Sequence, residues 1–362
     1  MTKPLTSIKT ADDLVTAGFV PPTDRAAIAE VARRYAVAIT PTMAAVIDPT
    51  DAADPIARQF VPDAAELHAS PGELEDPIGD DAHAPVPGIV HRYPDRALLK
   101  LARVCPVYCR FCFRRETVGK GEEAMLSSAE LEAALAYIRA TPAIFEVIVT
   151  GGDPLILSPR RIRDVASALA AIPHVRVIRW HSRVPVVAPE RVTAELVAAL
   201  AAGGAAGGKA TYVAIHCNHP RELTAAARAA IARLAEAGIG LVSQTVLLKG
   251  VNDDAETMEE LLRSLLAARV KPYYLHHGDM APGTAHLRTS IAHGQEIMRA
   301  LRGRLSGLAL PLYVLDIPGG YGKVPVDAGF VGEPDPESGE RDVRDAAGRV
   351  HRYRDACSDP SM

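Results

Sequence analysis

The chain has 362 residues, of which 48% are hydrophobic and 23% are charged. This balance is typical of a folded globular protein, because disordered chains carry too few apolar residues and membrane proteins carry many more. The formal net charge of −4 argues against a nucleic-acid-binding protein and favours a small-molecule substrate. No apolar run approaches roughly 18 residues and no signal segment is evident, so we expect a cytoplasmic protein without membrane contact.

The two ends of the chain differ from its centre. In residues 1–95, short helical patterns such as 24–35 alternate with connections rich in Pro and Asp, which predicts an N-terminal helical arm with long ordered loops. Residues 326–362 are mostly polar and predict a short C-terminal extension, in which 341–353 forms a hairpin around Ala347 and Gly348.

Residues 96–325 alternate between apolar runs of strand length and amphipathic stretches of helix length. The predicted strands are 98–103, 145–150, 175–180, 212–216, 241–247, 272–276 and 311–316. The predicted helices are 128–140, 160–171, 190–201, 221–237, 255–268 and 291–305, with a flexible loop at 201–208. Six βα units and a closing strand predict an α/β fold, an incomplete (βα)6 parallel barrel.

Three cysteines lie within eight residues after the first predicted strand: Cys105, Cys109 and Cys112. Three thiolates can bind three irons of a 4Fe-4S cluster and leave the fourth iron open to an outside ligand. Zinc would require a fourth ligand, and none stands at finger-like spacing, so a zinc site or a chance cluster is the weaker alternative. Five cysteines in all are too few for a secreted disulfide framework.

This C-x3-C-x2-C spacing resembles the radical S-adenosylmethionine (SAM) superfamily, in which SAM chelates the open iron and is split to a 5′-deoxyadenosyl radical. The resemblance continues in Gly151, Gly152 and Asp153 at the end of the second predicted strand. There the superfamily has a turn that contacts the amino group of SAM. Alone, these three residues would indicate only a turn.

A glycine-rich segment, 316–323, follows the final predicted strand and ends in Lys323. A phosphate-binding P-loop would need glycine at Ile317 and Ser or Thr at Val324, so the segment fails that pattern. A lysine on a flexible glycine loop at a barrel mouth suits imine formation with pyridoxal phosphate (PLP). By itself, a surface lysine would be the commoner interpretation.

Together these three motifs resemble the lysine 2,3-aminomutase family, over residues 38–353. The resemblance implies a 4Fe-4S cluster, SAM and PLP as cofactors, and it makes Lys323 the catalytic, imine-forming residue. It places Arg92, Tyr93, Arg96 and Lys323 at PLP, and Gly151, Gly152, Asp153, His216 and Gln244 at SAM. Arginines suit a doubly charged phosphate, so the physical argument agrees.

The resemblance also implies how the substrate binds. Arg114 matches the arginine that binds the substrate carboxylate, and Asp279 and Asp316 match two aspartates that receive the distal ammonium of lysine. Two carboxylates facing one buried ammonium are reasonable, because an unpaired buried cation is costly to desolvate. Two solvated loop aspartates are the alternative. We therefore predict conversion of L-lysine to β-lysine.

Several positions depart from the longer aminomutases. Asp254 stands where those enzymes have a zinc-binding cysteine, and the tail has only Cys357, so a structural zinc lacks its ligands. His276 replaces a family tyrosine, as in relatives that act on a lysine of translation elongation factor P. Such a protein-bound lysine, or another basic amino acid such as arginine, is therefore an alternative substrate. A radical SAM enzyme without PLP and a non-catalytic metal-binding scaffold are the alternatives of other classes.

The candidate residues follow successive predicted strands at their carboxyl ends, from the cysteines after the first strand to Lys323 after the last. In a barrel these ends share one rim, so we expect the residues to lie together. The predicted partners are a small-molecule amino acid, an electron donor such as flavodoxin or ferredoxin, and a second copy of the chain in a homodimer.

Overall fold

The structure is a computed structural model that describes residues 7–120, 124–327, 329–335, 338, 340–345 and 348–354. Within these ranges, nine strands form one sheet in sequential order. The strands are β1 (Ile89–Tyr93), β2 (Arg96–Ala102), β3 (Glu146–Gly151), β4 (Val177–Ser182), β5 (Ala210–His216), β6 (Gly240–Val246), β7 (Lys271–His276), β8 (Leu312–Ile317) and β9 (Gly322–Pro325).

The sheet is parallel from β2 to β8, and β1 and β9 add antiparallel strands at its two ends. The inner strands are apolar on both faces, as Val147, Ile148 and Val149 in β3 show by their burial. Such strands need helices outside and packed side chains inside. The predicted incomplete (βα)6 barrel is confirmed.

The helices begin where side chains can cap them. The helices are α1 (Ala11–Thr16), α2 (Arg25–Arg34), α3 (Pro41–Ala44), α4 (Ala57–Phe60), α5 (Ser128–Arg139), α6 (Pro159–Ala170), α7 (Val184–Val187), α8 (Ala194–Gly207), α9 (Ala225–Glu236), α10 (Ala255–Ala267) and α11 (Ile291–Arg302). The six long crossover helices are each preceded by a side chain that accepts a first-turn N–H: Ser127, Ser158, Thr193, Thr224, Asp254 and Ser290. Such a cap contributes about 1 kcal/mol and fixes where the helix starts.

All seven predicted strands agree with β2 to β8 within two residues at each end. Helices α8 and α9 begin four residues later than predicted, because the short 3-10 turns Pro189–Arg191 and Pro220–Glu222 precede them. Proline suits such a turn, since it lacks the N–H that the turn would leave unpaired.

The predicted flexible loop at 201–208 is wrong, because α8 continues through Gly207 and ends at Gly208 in the left-handed conformation. Alanine is the strongest helix former, and this segment is mostly alanine and glycine. Gly203 also packs close to the sheet, since a Cβ there would lie 3.0 Å from Ile178 Cδ1. The glycine therefore permits a close helix–sheet contact.

The N-terminal residues share the core of the barrel. Ile39, Met43 and Phe60 are fully buried in the same hydrophobic cluster as the lone tryptophan, Trp180. β1 lies inside the predicted arm, yet it pairs with β2 and adds a strand to the barrel sheet. The arm is thus packed against the barrel and can supply side chains to it.

The C-terminal residues form a separate antiparallel sheet of β10 (Val331–Pro334), β11 (Glu340–Arg344) and β12 (Val350–Arg354). The predicted hairpin is confirmed, with Arg341 opposite Tyr353. Ala347 and Cys357 lie outside the described residues. In the part of the chain that the structure describes, no helix is both long and apolar enough to span a membrane.

Candidate functional site

The three cysteines lie in the loop after β2, and all of them line one pocket beside Tyr35 and Tyr108. Burial, with the neighbouring thiols, raises the pKa of Cys105 well above its usual value. The same two causes raise the pKa of Cys112 to about 11. Both would therefore be protonated without a bound cation, since thiolates need a positive partner in such a place.

The donor set fits an iron–sulfur cluster better than a tetrahedral zinc, because the described residues that line the pocket include three cysteines and no fourth metal-binding side chain. Among the residues described, no three His, Cys, Asp or Glu side chains are close enough to bind an ion as they stand. The cluster cysteines remain a prediction.

A buried carboxylate of the arm anchors the cysteine loop. Glu66 forms ion pairs with Arg110 and Arg115, two residues of that loop, and all three side chains are almost completely buried. The Arg110 guanidinium also donates to the Ala36 carbonyl at 2.9 Å. The sequence analysis missed this network, since nothing in the spacing of residues 66 and 110 indicates contact.

A second buried network reaches the cysteine loop from the barrel. Nη1 of Arg183 lies 2.8 Å from Sγ of Cys109, and Nη2 lies 2.6 Å from Oε1 of Gln59 and 2.7 Å from Oε2 of Glu222. Glu222 also accepts the backbone N–H of Asn218 at 3.0 Å. These residues come from the arm and from the segments that follow β4 and β5, so this network too was not predicted from the sequence.

The Gly-Gly-Asp turn after β3 packs against the start of the cysteine loop. A Cβ on Gly152 would lie 2.3 Å from the carbonyl oxygen of Val104, so only glycine fits. The carboxylate of Asp153 accepts hydrogen bonds from the Ser182 hydroxyl at 2.8 Å and from the Arg183 backbone N–H at 2.7 Å. Burial raises the pKa of Asp153 despite these bonds. Its carboxylate therefore fixes the segment after β4, and its predicted contact with SAM, like those of Gly151 and Gly152, remains a prediction.

His216 and Gln244 lie side by side, because they are register partners in β5 and β6. Nε2 of His216 is 3.1 Å from Oδ1 of Asn218, and its ring is 5.5 Å from the ring of Phe111 in the cysteine loop. Burial and the charge of Arg183 lower the pKa of His216 well below its usual value. A neutral imidazole therefore stands beside the cysteine loop, where both residues were predicted to meet SAM.

Lys323 lies on β9, directly opposite Asp316 on β8. The expectation that a flexible loop carries it is wrong, because the glycines at 319–320 form the tight turn of a hairpin, each with φ of +88°. Nζ of Lys323 forms an ion pair with Asp316 and lies 3.3 Å from Nδ1 of His276. Its backbone N–H donates to the Tyr93 hydroxyl at 2.7 Å. The lysine is thus held from two sides.

The two predicted acids differ in charge state. Burial and the charge of Asp316 raise the pKa of Asp279 to about 7. Burial would also raise the pKa of Asp316, but the hydrogen bond from His276 and the charge of Lys323 hold it well below its usual range. One acid is therefore ionised at neutral pH and the other is partly protonated, so the pair can accept a second cation besides Lys323.

Three cationic side chains lie around one acid, Asp80. Arg92, Lys100 and Arg114 lie 3.6, 3.7 and 2.8 Å from the carboxylate of Asp80. Nε of Arg92 is buried without a hydrogen-bond partner in the described structure. This positive excess fits a phosphate and a carboxylate.

Neither Asp80 nor Lys100 was predicted at the site. Lys100 had a signal in the sequence, since it is a charged residue inside an apolar strand. Arg96 stacks on Tyr93, 3.7 Å from the ring centre, and so covers one face of that ring.

Charge interactions connect the remaining mouth residues. Arg114 and Lys323 both influence Asp279, and His181 at the end of β4 is influenced by His276, Arg114 and Lys323. Burial lowers the pKa of His181 well below its usual value, and its Nε2 has no partner among the described residues. The predicted residues thus gather at one mouth, the cysteines on one side and Lys323 on the other.

The family model "Radical SAM superfamily" matches residues 99–264. An L-lysine 2,3-aminomutase of Clostridium subterminale is 41% identical over 304 residues, which cover 84% of this chain and 72% of that protein. An L-lysine 2,3-aminomutase of Acetoanaerobium sticklandii is 43% identical over 295 residues, which cover 82% and 70%.

A relative with another named amino acid also matches. The glutamate 2,3-aminomutase of Clostridioides difficile is 38% identical over 299 residues, which cover 83% of this chain and 69% of that protein. Relatives named for a cationic and for an anionic amino acid therefore both match, at 41–43% and at 38% identity. The choice between them depends on the charges at the mouth.

Proposed function

The chain belongs to the lysine 2,3-aminomutase family of radical SAM enzymes, and from this premise we propose that it converts L-lysine to β-lysine with PLP as a second cofactor. The observation that carries the proposal is the meeting of two acids with an amine at the mouth. Asp316 forms an ion pair with Lys323, and both Lys323 and Arg114, which is paired with Asp80, act by their charges on Asp279. These groups match the charges of both ends of lysine.

At the PLP site, Lys323 is the proposed imine-forming residue. PLP, when bound, supplies a conjugated ring that can delocalise an unpaired electron on the migrating group. Arg92 has a buried N–H without a partner among the described residues, which a phosphate oxygen could accept, and Tyr93 supports Lys323 through its hydroxyl. Arg96 stacks on one face of Tyr93.

At the SAM site, the three cysteines are the proposed cluster ligands. The cluster with SAM, when bound, supplies a carbon radical that removes hydrogen from an unactivated carbon. Gly151 and Gly152 shape the turn beside the cysteine loop, and Asp153 fixes it. His216 and Gln244 present two polar groups from neighbouring strands.

The substrate would be held at both of its charged ends. Arg114 is already paired with Asp80 at 2.8 Å, and a substrate carboxylate would bind its guanidinium as a second acceptor. Asp279 would lose its proton when a substrate ammonium arrives, because a cation lowers a raised carboxyl pKa. Holding both ends presents the β carbon at a fixed place. Glutamate would instead bring a third carboxylate beside two acids, which is unfavourable.

The other predicted partners belong to the same proposal. An electron donor such as flavodoxin or ferredoxin would reduce the cluster, and a homodimer and a cytoplasmic location remain predictions. Arginine and a lysine of translation elongation factor P are the alternative substrates.

The test is anaerobic reconstitution with iron, sulfide and PLP, followed by incubation with SAM, a reductant and one substrate at a time. Mass spectrometry after derivatisation distinguishes each α-amino acid from its β isomer. We expect β-lysine from free L-lysine and none of the β isomers from L-glutamate or L-arginine. Product from elongation factor P alone, or from glutamate, would contradict the proposed substrate.

A further inference from the structure

We propose that Arg183 is a positioning residue that raises the reduction potential of the predicted cluster through Cys109, with Glu222 as the opposing charge. This inference rests on the proposed function, because it needs a cluster on the three cysteines. It concerns a residue that no motif singles out. The contacts of Arg183, the residues that fix its guanidinium in place, and the opposite charges of Arg183 and Glu222 support it.

The guanidinium of Arg183 is shared among three acceptors. It reaches the sulfur of Cys109 at 2.8 Å, the amide oxygen of Gln59 at 2.6 Å and the carboxylate of Glu222 at 2.7 Å. Among the described side chains, it is the one that donates a hydrogen bond to any of the three loop cysteines. The ring of Phe60 covers it at 4.5 Å and keeps it from water.

The position of this guanidinium is fixed from several elements. The backbone N–H of Arg183 donates to Asp153, in the turn that packs against the cysteine loop. The side-chain oxygen of Gln59 accepts a hydrogen bond from Nδ2 of Asn218 at 3.0 Å as well as from Arg183, so the segments after β5 and β4 share one acceptor on the arm. Glu222 is completely buried and accepts the backbone N–H of Asn218 and of His219. The guanidinium therefore cannot swing away from Cys109 without breaking several contacts.

A fixed positive charge at a ligand sulfur favours the cluster with one more electron. Hydrogen bonds to the sulfurs and the net charge nearby are the main protein controls on cluster potential. Both act strongly here, because Arg183 and Glu222 are shielded from solvent. Arg183 stabilises the reduced cluster by its positive charge at the sulfur. Glu222 contacts Arg183 and not the sulfur, and its negative charge partly offsets this stabilisation. Removing the two groups should therefore shift the potential in opposite directions.

The neighbouring arginines of the loop do not duplicate this role. Arg110 and Arg115 are directed at Glu66, the acid on the arm. Their pairing fixes the loop, whereas Arg183 contacts a sulfur directly. A variant of Arg183 thus changes the charge at the ligand while the arm anchor stays in place.

The experiment is a redox titration of the reconstituted full-length protein, followed by electron paramagnetic resonance of the reduced cluster. In Arg183→Gln we expect the ratio of reduced to oxidised cluster at a fixed potential to fall about tenfold, which is about 59 mV for a one-electron couple. In Glu222→Gln we expect the ratio to rise by a similar factor. Arg183→Lys, which keeps the charge, should recover part of the loss. Iron content should stay at the wild-type value in all three variants.

The matched control is Arg179→Gln. Arg179 lies on β4, the strand that ends directly before Arg183, is similarly buried, and pairs with Glu146 at 2.9 Å without touching a sulfur. It should leave the potential unchanged. A shift of the same sign in Arg183→Gln and Glu222→Gln would indicate general loosening and overturn the inference, and so would no shift in either.

Different results would contradict the proposed function and the proposed role of Arg183. A wild-type protein that holds no iron–sulfur cluster would overturn the proposed function and this inference together. A wild-type protein with a cluster and aminomutase activity, whose potential does not respond to Arg183→Gln or Glu222→Gln, would overturn this inference alone. If Arg183→Gln does not fold, the upward shift in Glu222→Gln still decides the matter.

Discussion

On the side of the mouth formed by the cysteine loop, each buried acid is ion-paired with arginine, whereas on the side of Lys323 one buried acid, Asp279, has no ion pair among the described residues. We call the first the cysteine side, which comprises Glu66, Arg110, Arg115, Arg183 and Glu222, and the second the lysine side, which comprises Asp80, Arg92, Lys100, Arg114, Asp279, Asp316 and Lys323. On the cysteine side, both carboxylates are completely or almost completely buried and each accepts an arginine.

On the lysine side the ion pairs are distributed unevenly among the acids. Three cations surround Asp80, and Asp279 has a pKa raised to about 7 by burial and by Asp316. A raised carboxyl pKa means that the positive groups among the described residues do not offset the burial of Asp279. The ion pairs of the cysteine side therefore fix the positions of the three cysteines, whereas the lysine side has an acid that can bind a cation from outside the chain.

The largest effect is expected at the lysine side, in Lys323→Ala. Loss of the imine-forming amine should lower aminomutase activity at least about 10⁴-fold, the scale seen when a covalent catalytic group is removed. Iron content should not change, because Lys323 lies on β9 and its contacts are Asp316, His276 and Tyr93. The measurements are β-lysine formation and iron per chain.

Lys323→Arg is the matched variant. Arginine keeps the charge beside Asp316 but does not form the imine. If the amine acts only as an ion-pair partner, Lys323→Arg would retain activity. That result would contradict the proposal that Lys323 forms an imine, and the lysine side would then have no covalent role that the cysteine side lacks.

The cysteine side should show its largest effect in stability. Glu66→Gln leaves Arg110 and Arg115 without their buried acid, and breaking such a pair costs about 3–5 kcal/mol. Chemical unfolding of the protein gives the difference in free energy. Glu132→Gln removes an exposed pair with Arg139 and should cost no more than about 1 kcal/mol. Equal losses in the two variants would mean that burial of Glu66 does not matter.

Asp279→Asn tests whether the lysine side receives an outside cation. Loss of one desolvated charge partner should cost about 2–5 kcal/mol of substrate binding, or roughly 30-fold to several-thousand-fold in the KM for lysine. In the wild type, kcat/KM should rise with pH through about 7 as Asp279 loses its proton. The variant should lack this rise. A KM unchanged by the substitution would contradict the proposed role.

The same substitution has a stability signature in the cofactor-free protein. The folded pKa of Asp279 is about 7 and its usual value is 3.8, so the folded state holds the proton more tightly. The stability from this group is complete below about pH 3.8 and is lost as the pH rises through 7. Unfolding measured at pH 5 and pH 8 should therefore show a smaller loss in Asp279→Asn than in the wild type.

The sequence was sufficient for the barrel because each βα unit carries its own local signal. Apolar runs and capping residues such as Ser127 and Asp254 are read within a few residues of the chain. β9 was not predicted as a strand, because Gly322 and the turn before it read as a loop. Its pairing depends on Asp316 lying opposite, which no local pattern specifies.

The site was predictable only where spacing carries the chemistry. Cys105, Cys109 and Cys112 stand close in sequence, so their number and spacing could be read directly. Gln59, Arg183 and Glu222 come from three distant parts of the chain, and each would be an ordinary polar residue by itself. Buried ion pairs across such distances follow from the packing of the arm on the barrel, so only the folded structure reveals them.

The smallest effect is expected in Tyr93→Phe, on the hairpin that carries the lysine. The hydroxyl of Tyr93 accepts the backbone N–H of Lys323 at 2.7 Å, and a typical hydrogen bond contributes about 1 kcal/mol to folding. Unfolding in urea should show that loss, while Tyr212→Phe, at an exposed tyrosine of β5, should change stability by less than about 0.5 kcal/mol. Activity should fall only a few-fold, because the amine of Lys323 remains paired with Asp316. A loss as large as that in Lys323→Ala would mean that Tyr93 takes part in the reaction itself and not only in holding β9.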